Sequence, residues 1–95
     1  MQFDLEVYER KSELLKVLAH PIRLCIVKGL LEQENCNVTY MKNCLQASQS
    51  TISQHLAKLK AANVVKCVRS GNEIYYQLTD RRLEVIIKDL FEDKE

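Results

Sequence analysis

The hydrophobic residues between positions 48 and 62 recur with the period of an α-helix. Ile52, Leu56 and Leu59 are spaced i, i+4 and i+7, so they form one apolar stripe. Ser48 precedes them, and serine is a favoured N-cap because its hydroxyl accepts hydrogen bonds from the free N–H groups of a first helical turn. The pattern therefore predicts a helix that starts after Ser48 and buries one side.

The opposite side of this helix carries short, uncharged residues. Ser50, Gln54 and Ala57 point away from the apolar stripe, Ser53 lies at its shoulder, and His55 borders it and is expected to be partly buried. A solvated helix usually carries Glu and Lys on its outer face. Serine and glutamine can read base edges in a major groove, and a helix N-terminus suits a phosphate. A DNA-reading helix is therefore weighed against an ordinary polar surface.

The N-terminal third of the chain predicts two helices. Residues 4–19 form the first and residues 21–31 the second, which begins at Pro21 because proline suits the first helical position. His20 lies at this junction and is expected to cap or pack rather than to bind a metal. Cys25 borders the apolar stripe of the second helix and is expected to be a buried small hydrophobe.

A short third helix and the polar-faced helix predict a helix-turn-helix over residues 39–62. Thr39 is the expected N-cap of the third helix, residues 40–45, and Val38 before it could enter a short strand. A tight turn at residues 46–48 connects the two helices. Two short helices joined in this way, with the second polar on its outer side, are typical of DNA-binding proteins.

After residue 63 the hydrophobic period changes from 3.6 to 2, which predicts a β-hairpin wing over residues 64–78. A turn at residues 70–72 separates its strands. Arg69 and Asn72 at the tip suit contacts along a nucleic-acid backbone or in a minor groove. The expected fold class is mainly α with a small β-hairpin wing (α+β), a winged helix-turn-helix in the order α-α-(β)-α-α-β-β-α.

A last helix is expected to be capped by Thr79 or Asp80 and to end near Phe91, before a frayed tail at residues 92–95. Residues 1–95 are expected to form one domain. Its first and last helices, 4–19 and 80–91, both present apolar faces that a core of this size cannot cover entirely. This predicts that the two terminal helices are dimerisation helices.

The net charge of +1 is unevenly distributed. Residues 37–82 carry seven basic and two acidic groups, a net charge of +5, whereas residues 1–36 and 83–95 carry −1 and −3. A basic middle segment is expected if this part meets a polyanion. The sequence has no clustered Ser/His/Asp set, no glycine-rich phosphate loop and no carboxylate pair in an apolar setting, so an enzyme is not expected.

The four cysteines, Cys25, Cys36, Cys44 and Cys67, contain no CxxC or CxC pairing. Because no export signal and no membrane-length apolar run is present, a cytoplasmic protein with reduced thiols is expected. Cys67 is expected to face out near the wing. Cys36 and Cys44 flank the third helix and form the candidate thiol switch, although eight helical residues would separate them too far for a disulfide.

Three segments of the chain resemble the ArsR/SmtB family of bacterial winged-helix repressors. They are LAHPIRLCIVKGL at 18–30, SQSTISQHLAKLKAANVV at 48–65 and GNEIYYQL at 71–78, and the likeness covers residues 14–90. Asn63 stands where the family usually has glycine. Within the family, the chain most resembles the PagR-like subgroup, which lacks the standard metal sites.

The resemblance implies a homodimer joined through its first and last helices, with two reading helices in successive major grooves of double-stranded operator DNA. It implies a sequence-specific transcriptional regulator, expected to be a repressor that needs no cofactor and whose inducer is unknown. The residues carried over as DNA-binding by position and by the reading of the wing are Gln49, Ser50, Ser53, Gln54, Lys58, Arg69 and Asn72.

The metal sites of the family are not expected here. The last-helix site needs histidine, and residues 80–91 contain none. The third-helix thiolate site needs Cys-Val-Cys where this chain has residues 37–39, Asn-Val-Thr, with Cys36 one position early. Cys36 and Cys44 alone fall short of the three or four ligands of a thiolate site. The alternatives are a thiol- or metal(loid)-responsive sensor acting through these two cysteines, and a winged-helix protein-interaction module without DNA binding.

Overall fold

The computed structural model describes residues 1–81 and 83–92, and its elements follow the predicted order. The helices and strands are α1 (Leu5–Leu18), α2 (Pro21–Glu32), α3 (Val38–Leu45), α4 (Gln49–Ala61), β1 (Val65–Ser70), β2 (Glu73–Leu78) and α5 (Leu83–Phe91). The prediction for the tail at residues 92–95 lies almost wholly outside the described residues.

The hydrophobic core joins residues from every helix and both strands. The apolar stripe predicted on α4 is confirmed, because Ile52, Leu56 and Leu59 are at most 1% exposed. They pack with buried residues of the other elements, which include Leu18, Ile26, Val27, Leu30, Met41, Val65, Leu78 and Ile87. The position of α4 is therefore set mainly by non-directional apolar contacts, which fix one side of the helix against the protein.

The burial of α2 corrects the expectation for Cys25. The helix buries Ile26, Val27 and Leu30, whereas Ile22 is only partly buried and Cys25 is exposed. Because the fully buried Val27 rotates the centre of the apolar face away from Ile22, Cys25 lies on the far side of the helix. Cys25 is therefore a surface thiol and does not belong to the core.

The helix starts show which caps were predicted correctly. His20 caps α2, since its Nδ1 accepts a hydrogen bond from the Ile22 N–H at 3.1 Å, as expected for a capping histidine. Ser48 caps α4, accepting from the Thr51 N–H at 3.1 Å. Both side chains satisfy amides that have no partner within their own helix.

The start of α3 differs from the prediction. Asn37 is the N-cap instead of Thr39, because its Oδ1 accepts from the Tyr40 N–H at 2.8 Å. Val38 is the first helical residue and enters no strand. The short β contact is made two residues earlier, where Cys36 and the β2 residue Tyr76 exchange two backbone hydrogen bonds of 3.2 and 2.8 Å.

The cap predicted for α5 is also corrected in part. The Thr79 hydroxyl is buried and has no hydrogen-bond partner among the described residues, so it does not cap the helix. The Thr79 N–H instead donates to the Val64 carbonyl at 2.9 Å, which extends the pairing of β1 and β2 by one residue on each chain segment.

α4 ends in a reversal that explains the asparagine at position 63. Asn63 has a φ of +63°, in the left-handed region that glycine adopts without strain and asparagine tolerates. Its N–H donates to the Lys60 carbonyl, and the Val64 N–H donates to the Leu59 carbonyl, both at 2.9 Å. This pair of hydrogen bonds is the Schellman motif, and it directs the buried Val64 into β1.

Replacing Asn63 by alanine is expected to lower the free energy of unfolding by about 1 kcal/mol, because a left-handed backbone is costly for an ordinary side chain. Asn63→Gly is expected to cause no loss. Urea denaturation of both variants measures the difference. The control is Asn43→Ala within α3, where alanine suits the helix. Equal losses for the alanine variants at 63 and 43 would contradict a left-handed requirement at position 63.

Candidate nucleic-acid interface

The first turn of α4 leaves two amides available for an external acceptor. Ser48 accepts from the Thr51 N–H through its hydroxyl and from the Ile52 N–H, at 3.1 Å, through its carbonyl. Helix geometry leaves the N–H groups of Gln49 and Ser50 without partners in the helix. Both residues are exposed, so this end of α4 can receive a phosphate group.

The sequence-predicted contact residues of α4 form one continuous exposed surface. Gln49, Ser50, Ser53, Gln54 and Lys58 are all exposed. At about 100° per residue they fall within one half of the helix circumference, while the buried stripe occupies the other half. The first four offer neutral donors and acceptors, and Lys58 adds a charge at the far end. The surface therefore combines groups that can read base edges with a group suited to a phosphate.

The wing presents the two other predicted contact residues at its tip. β1 and β2 pair antiparallel, with Val65 opposite Leu78 and Ser70 opposite Glu73, which leaves Gly71 and Asn72 as a two-residue turn. Gly71 has a φ of +64° and Asn72 does not have a positive φ, as in a type II′ turn. Arg69 and Asn72 are exposed beside this turn.

Asn37 connects the wing to the helix-turn-helix. Its Oδ1 caps α3, and its Nδ2 donates to the Glu73 carboxylate at 2.9 Å. The backbone hydrogen bonds between Cys36 and Tyr76 lie beside this contact and hold the same two segments together. The sequence alone does not reveal this bridge, because Glu73 lies 36 residues from Asn37 and no local pattern relates the two positions.

The basic residues differ in whether they pair with a carboxylate. Three lysines of the terminal helices and α2 pair with glutamates: Lys16 with Glu13 at 3.4 Å, Lys28 with Glu32 at 2.8 Å and Lys88 with Glu84 at 3.0 Å. Like Arg10 and Lys11 of α1, the cations of α4 and the wing form no ion pair with any described residue. They are Lys58, Lys60, Lys66 and Arg69. Their charges are therefore available to an external polyanion.

Lys60 is a contact candidate that the sequence prediction omitted. It is exposed, and its angular position places it between Gln49 and Ser53 on the exposed half of α4. The helical period alone would have placed Lys60 on this surface, because residue 60 follows Gln49 and Ser53 by 11 and 7 positions.

Known proteins with similar sequences identify the family. A model described as "Bacterial regulatory protein, arsR family" matches residues 20–66. The transcriptional repressor PagR of Bacillus anthracis is 46% identical over 80 residues, which are 84% of this chain and 80% of that protein. The chain belongs to the ArsR family. It is a DNA-binding transcriptional regulator, and its relatives are regulators, not enzymes.

Other relatives confirm the resemblance and the fold of this ArsR-family protein. The repressor SmtB of Mycobacterium tuberculosis is 43% identical over 84 residues, which are 88% of this chain but 62% of that protein. The crystal structure of PagR superposes with a TM-score of 0.82 at 44% identity, covering 92% of this chain and 99% of that one. HlyU from Vibrio cholerae N16961 gives a TM-score of 0.84 at 29% identity over 92% and 94% of the two chains. The winged-helix fold class is therefore confirmed.

Three cysteines of this ArsR-family protein line a cavity of about 180 Å³ between α2 and α3. Cys25 and Cys44 are exposed, whereas Cys36 is buried. Burial, and to a lesser extent the nearby Cys44, raises the pKa of the Cys36 thiol. A raised pKa lowers the thiolate fraction and the reactivity of Cys36. Of the two candidate switch residues, Cys44 is therefore the one that a reagent reaches first.

The structure also tests the predictions for Cys67 and for metal ligands. Cys67 is exposed on β1, as expected. Within residues 1–81 and 83–92, no three His, Cys, Asp or Glu side chains are grouped so that they could hold a metal ion. Over the same residues, no helix is both long and apolar enough to cross a membrane.

Proposed function

We propose that this ArsR-family protein is a cytoplasmic repressor that binds a pseudo-palindromic operator as a homodimer. In this proposal residues 39–62 form the reading unit and residues 64–78 the wing of a single domain. Ser53 and Gln54 read base edges, whereas Arg69 and Lys58 contact phosphates. The observation that carries the proposal is the neutral, hydrogen-bonding exposed half of α4, flanked by cations that pair with no described carboxylate.

The exposed apolar residues of the terminal helices support a dimer. Leu5, Tyr8 and Leu15 of α1 are 53–57% exposed, and α5 exposes Val85, Ile86, Leu90 and Phe91. A groove of about 950 Å³ runs between α1, α5 and the turn after α4. A second copy would remove these apolar surfaces from water. Two-fold symmetry then predicts half-sites about one helical turn, or ~34–36 Å, apart.

The proposed repressor does not respond to metals. Cys36 lies just before α3 and Cys44 in its last turn, and no three potential ligands among the described residues are grouped closely enough to hold a metal ion, although Cys25 lines the same cavity. The raised pKa of buried Cys36 also makes it a poor ligand and a poor nucleophile. A thiol-responsive regulator acting through Cys36 and Cys44 remains the alternative that the shared cavity favours. In that alternative, a group attached to Cys44 would separate α3 from α2 and displace the reading unit.

Titration of the protein's own promoter DNA at several salt concentrations tests the proposal, and Arg69→Ala is the informative variant. We expect Arg69→Ala to weaken binding to operator and random DNA alike, because its charge contacts phosphate. The slope of log K against log[salt] should flatten by about one unit per protomer.

Lys16→Ala is the control for this experiment, because it removes a 74% exposed positive charge of α1 that does not line the groove proposed to receive the second protomer. Its salt slope should equal that of the wild-type protein. Equal slopes for Arg69→Ala and the wild type would contradict a phosphate contact by the wing. An absence of promoter preference in the wild type would instead favour the protein-interaction module.

A further inference from the structure

One arginine joins three helices of the protein. Arg23 lies in the first turn of α2, and its Nε donates a hydrogen bond to the Val17 carbonyl of α1. Its Nη1 donates to Nδ1 of His55 on α4, at 3.0 Å. A single guanidinium therefore connects a proposed dimerisation helix to the DNA-reading helix.

The partners of Arg23 are well suited to it. The Val17 carbonyl lies in the last turn of α1, where helix geometry leaves carbonyls without an N–H partner and the helix dipole is negative. His55 can accept through Nδ1 only in the neutral form that carries its proton on Nε2. The His20 ring lies 4.4 Å from the His55 ring, between centroids, and closes the cluster from the start of α2.

The hydrogen bond to His55 is the only one between a side chain of α4 and another helix among the described residues. Apart from the ring contact of His55 with His20, the side chains of α4 meet the other helices through apolar contacts. These contacts determine which side of α4 is buried, but they are non-directional and define its exact rotation less sharply. A hydrogen bond is directional and loses strength steeply with misalignment. His55 also directly follows Gln54 in the sequence, so a rotation at His55 displaces Gln54 by the same angle.

We propose that Arg23 is a positioning residue for operator recognition. By holding His55 of α4 and the Val17 carbonyl of α1 at once, it fixes the rotation of the reading helix relative to the dimerisation helix. In the dimer, this contact sets the direction in which Ser53 and Gln54 of each protomer face the DNA. The inference rests on the proposed function as an operator-binding dimer.

Protonation of His55 would break this contact. The added proton occupies Nδ1, which then donates instead of accepting, and the ring becomes a cation facing Arg23 and His20 from α2 and its cap, and Lys58 on α4. Burial, followed by the charges of His20, Arg23 and Lys58, lowers the pKa of His55 below its ordinary value of 6.5. The contact is therefore intact at neutral pH and is lost as the pH falls below 6.5, through the lowered pKa of the folded protein.

The test compares operator and random-sequence DNA binding by fluorescence anisotropy for Arg23→Met and Lys16→Met. Both variants lose one positive charge, but Lys16 is 74% exposed and its ion pair among the described residues is with Glu13. Arg23→Met should lose about 10-fold or more in operator affinity and less than about 3-fold on random DNA, because a charged hydrogen bond is lost but no DNA contact is removed. Lys16→Met should change both by the same small factor.

Two substitutions of His55 separate positioning from folding. Asparagine places Oδ1 at the same distance from the backbone as Nδ1, so His55→Asn retains an acceptor that does not titrate, whereas His55→Leu has none. His55→Asn should keep operator affinity within about 3-fold and lose the dependence on pH that the wild-type protein shows below pH 6.5. His55→Leu should lose about 10-fold or more at pH 7.5.

Amide NMR spectra of the free proteins give a readout that needs no operator. Arg23→Met and His55→Leu should shift amides along the whole of α4, while His55→Asn should shift only those next to position 55 and Lys16→Met should leave them in place. Equal losses on operator and random DNA, unshifted α4 amides in Arg23→Met, or equal affinity of the Asn and Leu variants would overturn the positioning role. A wild-type protein without operator preference, but with the expected amide shifts, would overturn the proposed function and leave the contact itself established.

Discussion

Replacing Ile86 by glutamate is expected to lower the affinity for the operator by about 100-fold or more. Ile86 is 49% exposed on α5 and lines the groove that the second protomer is proposed to cover, together with two acidic and two basic residues of α1, Glu9, Arg10, Lys11 and Glu13. In the dimer, a new carboxylate would lose its water shell, and the α1 charges, which cancel in sign, would give it no net compensation. Each protomer would then bind one half-site alone and lose an avidity of about 10²–10⁴.

Light scattering at micromolar concentration and operator titration of the same sample measure this effect. Circular dichroism checks that the protein remains folded, which is expected because the exposed Ile86 contributes little to the core. The control is Asn35→Glu, which adds the same charge at an exposed position between α2 and α3. A monomeric Ile86→Glu protein with unchanged operator affinity would contradict a dimeric reading unit, and an intact dimer would place the interface elsewhere.

The spacing of hydrophobic residues along the chain was enough to predict most of the helices, the wing and the buried side of α4. The stripe of Ile52, Leu56 and Leu59 defined the buried side of α4, so its exposed residues followed from geometry alone. The change of period after Asn63 likewise predicted the wing to within a residue, because Val65 begins β1. Local side-chain chemistry predicted the caps at His20 and Ser48, since each cap bonds an amide two or three residues away.

Errors arose where two local solutions competed. Asn37 and Thr39 are both good N-caps, and Asn37 is favoured in the structure because its amide also donates to Glu73 of the wing. Cys25 was assigned to the core because a stripe drawn through Ile22 passes near it, whereas the packing centres on Val27. The N-cap of α3 and the buried face of α2 were each ambiguous because the local sequence leaves the alternatives nearly equal in energy. Contacts with distant parts of the chain determine which alternative forms.

The cluster around Arg23 shows the limit of prediction from a single sequence. Its partners lie 6 residues before it and 32 residues after it, so neither helical nor strand period relates them. His55 was expected to be partly buried, and it is, but its hydrogen-bond partner depends on how α2 crosses α4. Such long-range polar contacts follow from the assembled fold, and the same fold determines which half of α4 faces outward.

Replacing Gln54 by alanine is expected to weaken operator binding by about 1–3 kcal/mol per protomer and to relax the preference at one base pair of each half-site. Gln54 is exposed on α4 and makes no hydrogen bond within the described part of the protein, so its amide is available to a base edge. Glutamine can contact the N6 and N7 of adenine at once, and alanine cannot. Because Gln54 lies opposite the buried stripe, the substitution removes no core contact.

Titrations at constant salt with the operator, with single-base variants of each half-site and with random DNA measure this effect. Gln54→Ala should lose affinity for the operator, whereas its affinity for random DNA should change little because phosphate contacts supply non-specific binding. Gln2→Ala, at an exposed N-terminal position outside all helices, is the matched control and should bind as the wild type does. If Gln54→Ala weakened operator and random DNA equally, or left the base preferences unchanged, α4 would contact DNA without reading it through this residue.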